Sequence, residues 1–478
     1  MAKKNENPVT PPKSRLPVTP WDSRVRFRSG LDGRAFAYRP NEVITQGRGL
    51  QLIVDRLGAV GAGKLDVVPI ARRKSTDGEP GASSRELILI RGIPDPIETI
   101  HELTTAGIEA QPNQVLFAHA EPFQGGHPFP GGHPYPGGHP YPGGNGCCKP
   151  APCGVADERL EAPRFTTALP AIAPNGDEMS RRKHPAGTSC NVLVLDTGAW
   201  PQIICAGAVM NPTAQSAANL LGLTTTAGDP DVWDGDGNQV LDPFAGHGTF
   251  IAGIIANLAP GARVHVERAL SSYGDTDDAT IAQILLDQFP DVSAEVDGGA
   301  PPYDVVSMSF GGFCDEDDPP VALASAIASI QAHYAQPSDS LNEITQRVVF
   351  VASAGNAGSC RPTWPASFEN VIAVGAIGPD GPAAFTNYGP WVDACAPGVG
   401  IVSTFFDLGN EARLDGGDFD GWAIWSGTSF SAPVVAASIA WEWMCRGNDG
   451  TPGDAARWLV DRPGLYRYPW LGAVVNPY

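Results

Sequence analysis

No apolar run of roughly 18 residues, the length a helix needs to cross a bilayer, occurs in these 478 residues. The longest apolar stretches, around residues 250–259 and 434–441, fall short of it. The opening MAKKNENPVTPPKSRLPVTP has an early lysine pair but no apolar core behind it, so it is not a secretory signal. The expectation is a cytoplasmic protein with no membrane partner, secretion by another route staying open. Cysteine is scarce. The nine are an odd number and mostly scattered, so no disulfide framework is implied. Cys147, Cys148 and Cys153 cluster, but without the C-x2-C pairs of a zinc site. Positive charge is scarce as well: 32 Lys+Arg stand against 52 Asp+Glu, a net −20. Residues 1–150 hold 18 basic and 14 acidic side chains, +4, which leaves 14 basic and 38 acidic, −24, to residues 151–478. A field of that sign repels phosphate backbones and anionic lipid, which excludes nucleic acid as a partner class.

What is present is globular: 42% hydrophobic and 18% charged residues. At about 150 residues per domain the length suggests about three domains. Residues 1–34 have little periodicity and read as a mobile tail. Then AYRPNEVIT (37–45) suits a strand, with Pro40 placing it near an edge. Residues 49–57 have helical spacing, and LDVVPIA (65–71) and RELILIR (85–91) are β-type runs. DPIETIHELT (95–104) opens a helix with an N-cap Asp and Pro at its first position. QVLFAH (114–119) closes as a strand. The order β-α-β-β-α-β is the ferredoxin-like split pattern.

A low-complexity stretch follows. GGHPFP, GGHPYP and GGHPYP repeat from Gly125 to Pro142, and Gly and Pro at that density make a linker, not a core. His127, His133 and His139 could bind a metal with the neighbouring cysteines, or be incidental imidazoles of that linker. From residue 191 onward, buried-type strands (NVLVL, 191–195; 305–309; 348–353) alternate with helical segments such as 321–334. That alternation predicts an α/β unit, a parallel sheet flanked by helices.

Four segments of this second part carry chemistry. VLVLDTGAW puts Asp196 directly after a buried strand, GHGTFIAGII puts His247 at a helix start, and SGTSFSAPVVAAS puts Ser429 at another. A serine hydroxyl is a weak nucleophile and needs a base. An imidazole supplies it, and a buried carboxylate fixes the tautomer. VFVASAGNAGS carries Asn356 just beyond a strand, where its amide NH2 is placed to donate to an oxyanion beside the Ser429 N–H.

Asp196, His247, Asn356 and Ser429, in that order and with those flanks, resemble the subtilisin-like serine protease family. VVSMSFGG (305–312), CRPTWPASFENVIAVGA (360–376) and FTNYGPWVDACAPGVGIVST (385–404) extend the likeness, which covers about residues 191–443. The resemblance implies a central parallel sheet and peptide-bond cleavage. It implies that substrate backbone pairs beside an edge strand at Ser309, Phe310 and Gly311, and that Ser353, Ala354 and Gly355 wall the first specificity pocket. The βαββαβ segment resembles the family's inhibitory propeptide. The domain division expected is therefore a tail (1–34), a propeptide-like unit (35–121), a Gly/His/Pro/Cys linker (122–185) and a catalytic unit (186–478). The partners expected are a protein or peptide substrate and the N-terminal unit itself as intramolecular inhibitor.

The sequence departs from the family pattern in places. Phe250 stands where a second His is frequent. The 51-residue interval from Asp196 to His247 contains DPDVWDGDGNQVLDP (229–243), either a calcium loop or a solvated acidic loop, and it fails the EF-hand pattern. No cofactor is expected, with calcium left open. GAVGAGKL (58–65) has Leu65 where a phosphate loop needs Ser or Thr. RRKH (181–184) reads as a processing site or a solvated turn. Trp422, Trp425, Trp441 and Trp443 read as core or pocket wall. Asp315, Glu316, Asp317 and Asp318 either line a cleft that favours basic substrates or form an exposed loop. Besides a regulated serine endopeptidase, two readings stay open: a protease unit held inactive and used for binding, and a dedicated maturation protease with one partner.

Overall fold

The computed structural model of the protein describes residues 24–29, 35–60, 65–71, 87–118, 185–200, 224–225, 230–238, 241–294, 299–335, 347–407 and 420–476. The Gly-His-Pro repeat with its neighbouring cysteines, most of the Gly-rich loop at 58–65, and RRKH all lie outside these residues.

The N-terminal segment runs β1 (Arg26–Ser29), β2 (Ala35–Gln46), α1 (Gly49–Val60), β3 (Asp66–Ala71), β4 (Leu87–Arg91), α2 (Pro96–Thr105) and β5 (Ala110–Ala118). Asp95 caps α2, accepting from the Glu98 N–H at 3.0 Å, with Pro96 opening the helix. The strands order as β5-β2-β4-β3, all antiparallel. Helices α1 and α2 cover a core that includes Val43, Ile53, Ile90 and Leu103. Residues 24–29 depart from the expected mobile tail. Val25 is buried and β1 pairs with β2 from Arg26↔Tyr38 to Ser29↔Ala35. Four residues are too few to leave a period in the sequence.

The C-terminal part contains β6 (Asn191–Asp196), β7 (Thr224–Thr225), α3 (His247–Leu258), β8 (Arg263–Arg268), β9 (Asp275–Asp277), α4 (Asp278–Asp287), α5 (Pro290–Ala294), β10 (Val305–Met308) and β11 (Phe310–Gly311). It continues with α6 (Val321–Tyr334), β12 (Val349–Ser353), β13 (Val371–Gly378), β14 (Gly381–Pro382), β15 (Ala394–Pro397), β16 (Ile401–Asp407), β17 (Asp420–Trp425), α7 (Thr428–Cys445), α8 (Pro452–Val460), β18 (Arg467–Tyr468) and β19 (Gly472–Val474). Its main sheet orders β7-β8-β6-β10-β12-β13-β15-β19-β18, and the pairs from β7 to β19 are parallel. Burial on both faces explains the near-continuous apolar runs NVLV and VFVA. Apolar side chains of α3, α4, α6 and α7 join the sheet in one core. A carboxylate ties two of these helices together: Asp278, at the start of α4, accepts from the Ala322 and Leu323 N–H groups at the start of α6, at 3.0 and 2.7 Å.

The two parts share a sheet edge. Strand β5 is antiparallel to β9 on one side (Val115↔Asp277, Phe117↔Asp275) and to β11 on the other (Phe310↔Ala118, Gly311↔Phe117).

Candidate active site

The parallel sheet presents Asp196 at the C-terminal end of its strand β6, where open α/β sheets place their functional side chains. Asp196 Oδ1 lies 2.8 Å from His247 Nδ1, and both side chains are buried. The same oxygen accepts from the Thr197 N–H at 2.8 Å. His247 opens α3. Gly246 before it has φ 82°, a left-handed conformation that favours glycine. Gly248 after it is packed so closely that a Cβ would stand 2.3 Å from the Gly198 carbonyl oxygen and 3.1 Å from Asp196 Cβ. Only a residue without a side chain lets the helix start come this near the end of β6. Phe244, Trp425 and Phe430 surround the imidazole with ring centroids 5.5–6.0 Å away. Phe250 packs on the same group, 4.5 Å from Phe430 and 5.9 Å from Trp425. Trp425 is thus buried against the His247 ring and Trp441 is buried in the core, while the Trp422 side chain lies outside the described residues.

Ser429 sits in the first turn of α7, also buried. Its hydroxyl donates to the Ser309 carbonyl oxygen at 3.0 Å, and the Ser309 hydroxyl donates to the Ser429 carbonyl oxygen at 2.8 Å. Among the described residues, His247 Nε2 has no hydrogen-bond partner. Ser429 and His247 are therefore brought to one site without a hydrogen bond between them. Asn356 lies just past β12. Its Oδ1 accepts from the Thr428 N–H (2.9 Å) and hydroxyl (2.8 Å), which orients the NH2 as the opposite end of the amide. Ser353, Ala354 and Gly355 are buried at the end of β12, and the Gly355 N–H donates to Thr428 Oγ1 at 3.1 Å. Phe310 and Gly311 pair with β5, and Ser309 directly precedes them.

Two elements of the site leave no mark in the sequence. One is β9, the second wall of the strand slot, whose DTD has no apolar alternation. The other is Asp231. Its Oδ2 accepts from Thr197 Oγ1 (3.2 Å) and Thr249 Oγ1 (3.0 Å), and its carboxylate also accepts from the Gly246 N–H. One buried carboxylate thus braces both the Asp196 and the His247 loops. Burial pushes its pKa up to about 8, against the opposing pull of Arg268 and those donors. A carboxyl raised on folding favours the fold at low pH, and that contribution is lost as pH climbs from 3.8 to about 8. Asp231→Asn removes this dependence. In thermal unfolding between those pH values, the stability of wild type relative to the variant should fall as pH rises. A constant difference would refute the titration.

Asp234, Asp236 and Asp242, within the acidic stretch read from the sequence, bring carboxylate oxygens within 4.8 Å of one another, a group able to hold a cation. Loop donors already engage them: Gly237 and Asn238 N–H on Asp234, Tyr273 OH on Asp236, and Gly235 N–H with Ser272 OH on Asp242. Of the acidic cluster 315–318, Asp317 is paired with Arg361, which also donates to the Ala35 and Cys314 carbonyl oxygens at 2.6 and 2.7 Å.

A parallel α/β sheet with an Asp–His pair at a strand end and a serine opening a facing helix has the make-up of a serine hydrolase. Residues 187–462 match the model of the subtilase family, and the chain belongs to that family. It is 37% identical over 205 residues to the thermophilic serine proteinase of Bacillus sp. (strain AK1), an alignment covering 41% of each chain. It is 28% identical over 267 residues to Subtilisin Savinase of Lederbergia lenta, covering 53% of this chain and 76% of that one. A cuticle-degrading serine protease of Arthrobotrys oligospora is 28% identical over 262 residues, with 54% and 52% covered. The chain spans about half the length of two of these relatives, the Bacillus and Arthrobotrys enzymes. The crystal structure of fervidolysin from Fervidobacterium pennivorans, a keratinolytic enzyme related to subtilisin, superposes with TM-score 0.54 at 16% identity, over 93% of this chain and 61% of that one. That likeness is one of fold. Among the described residues, no helix is long and apolar enough to cross a membrane.

Proposed function

We propose that the protein is a serine endopeptidase whose N-terminal segment, residues 35–121, holds it latent. The observation that carries this reading is the seating of β5. It lies as an extended strand between β9 and β11, and its last described residue, Ala118, pairs with Phe310. The next residue back, Ser309, accepts the Ser429 hydroxyl. A chain seated this way is where a substrate peptide would lie: backbone bonds give affinity and side-chain pockets give preference.

In this reading Asp196 orients the His247 ring and stabilises its charged form. His247 Nε2 takes the Ser429 proton as the hydroxyl leaves its resting bond to Ser309. Ser429 Oγ then attacks the peptide carbonyl, and the oxyanion is held by the Ser429 N–H and the Asn356 NH2. His247 next gives that proton to the leaving amine, and water releases the acyl group by the same steps reversed. Ser353, Ala354 and Gly355 wall the pocket for the residue before the cut bond.

The complete burial of Ser429 in the intact chain favours latency over constitutive activity. A fluorophosphonate probe tests both. Ser429 should label slowly in the full chain and rapidly once limited proteolysis has removed the N-terminal segment. No labelling in either form would refute the enzyme and leave a binding role. Equal labelling in both would refute latency.

A further inference from the structure

Strand β9 lines the slot with two carboxylates, Asp275 and Asp277. Alternate residues of a strand share a face, so both project on the same side. Across the antiparallel pair, Asp275 stands opposite Phe117 and Asp277 opposite Val115. Side chains so placed are direct neighbours. The alternation of β5 is equally defined. Leu116 and Ala118 pack into the core of the C-terminal part, while Val115 and Phe117 pack with Val25 and Ala37 of the N-terminal segment. Any extended peptide in this slot therefore presents every second side chain to the rim that carries Asp275 and Asp277.

In the intact chain two guanidinium groups fill that rim. Arg24 grips Asp275 with both terminal nitrogens, Nη2 at 2.9 Å from Oδ1 and Nη1 on Oδ2. Arg39 bridges the pair, with Nε 2.8 Å from Asp277 Oδ2 and Nη2 2.9 Å from Asp275 Oδ2. Asn113 adds a donor to Asp277 Oδ1 at 3.0 Å. All three belong to the N-terminal segment. From the C-terminal part come the Ser271 hydroxyl on Asp275 and the Thr280 N–H on Asp277, neither of which carries charge. Burial works against the charged form of Asp277, yet Arg39 more than offsets it and holds the pKa below the ordinary value. The two carboxylates are therefore matched to a cation that arrives from outside the C-terminal part.

We propose that Asp275 and Asp277 form a cation subsite of the peptide slot, which accepts Arg or Lys side chains of a substrate at the places of Phe117 and Val115 and which Arg24 and Arg39 occupy in the intact chain. This rests on the peptidase reading, because it assumes that a peptide replaces β5. Planar guanidinium groups suit the site best, since Arg24 and Arg39 engage it through paired N–H···O bonds. The carboxylates proposed to favour basic substrates thus lie on β9, while in the acidic cluster at 315–318 Asp317 is already paired with Arg361.

The test is binding without turnover. The full chain carrying Ser429→Ala is folded, its N-terminal segment (β5, Arg24 and Arg39 with it) is removed by limited proteolysis to empty the slot, and the product is titrated with two labelled peptides in identical flanks. One carries Arg-Leu-Arg-Ala and the other Val-Leu-Phe-Ala, the chain's own sequence at the slot. The basic peptide should bind at least about tenfold tighter, less so at high salt. Adding Asp275→Asn and Asp277→Asn should remove the difference. Should those variants not fold, a Glu-Leu-Glu-Ala peptide gives the same decision against the unaltered carboxylates and should bind more weakly than Val-Leu-Phe-Ala. Equal affinities, no binding of the basic peptide, or a preference that survives the asparagines would overturn the subsite. Failure of the peptidase reading is seen separately, as absence of probe labelling.

Discussion

Replacing Ser429 with alanine should lower peptide hydrolysis by about 10^6-fold, the loss known for the corresponding serine of subtilisin, a member of the same family. The fold should survive. Among the described residues the lost hydroxyl makes one hydrogen bond, to the Ser309 carbonyl oxygen, and the Ser309 hydroxyl keeps its bond to the Ser429 backbone. Intact-mass measurement of purified wild type beside the variant gives a second readout. Any self-cleavage should appear as fragments in wild type and be absent from Ser429→Ala. Unchanged hydrolysis in the variant would remove Ser429 from the mechanism.

The second large effect is expected at Asp196→Asn, a fall of about 10^4-fold in kcat, the scale at which serine proteases lose activity when this carboxylate is neutralised. The asparagine oxygen can still accept from His247 Nδ1 and the Thr197 N–H, as Oδ1 does now. Geometry is thus largely kept and the negative charge is removed. That charge matters here because the imidazole is surrounded by Phe244, Trp425 and Phe430 and shielded from water. A loss below about tenfold would mean that another group stabilises the imidazolium.

How far these features could be read in advance depends on whether a residue's surroundings are local. Strands β6, β10 and β12 stand out because central strands are buried on both faces and become unbroken apolar runs. Helix α2 stands out because its cap, Asp95, and its opening Pro96 are adjacent in sequence. Asp196, His247, Asn356 and Ser429 are conspicuous through their flanks: the glycines around His247 are required by close packing that any chain with this arrangement must reproduce. Strand β9 is silent because its burial comes from a partner strand some 160 residues earlier. Its aspartates look like solvent-exposed residues until Arg24 and Arg39 are placed over them. Strand β1 is silent for a similar reason: its order comes from β2 and from Phe27 stacking on Phe117. Asp231 and Asp242 sit among other acids in one short stretch, and nothing local distinguishes the two that turn inward.

The slot between β9 and β11 is the width of one strand, with backbone on both sides. At Gly312, just beyond it, a Cβ would stand 2.9 Å from the Val115 carbonyl oxygen, so there is little slack for a bulkier shape. A helix or a closed turn does not fit such a gap. A folded protein could enter only by first releasing a stretch of its own chain. Digestion of native proteins would then be timed by the target: when opening and reclosing are fast, cleavage follows the equilibrium population of the open form. Two targets with the same recognition sequence would differ in lifetime by the ratio of those populations. A mutation that loosens a target far from the cut bond would shorten its life without touching the contact.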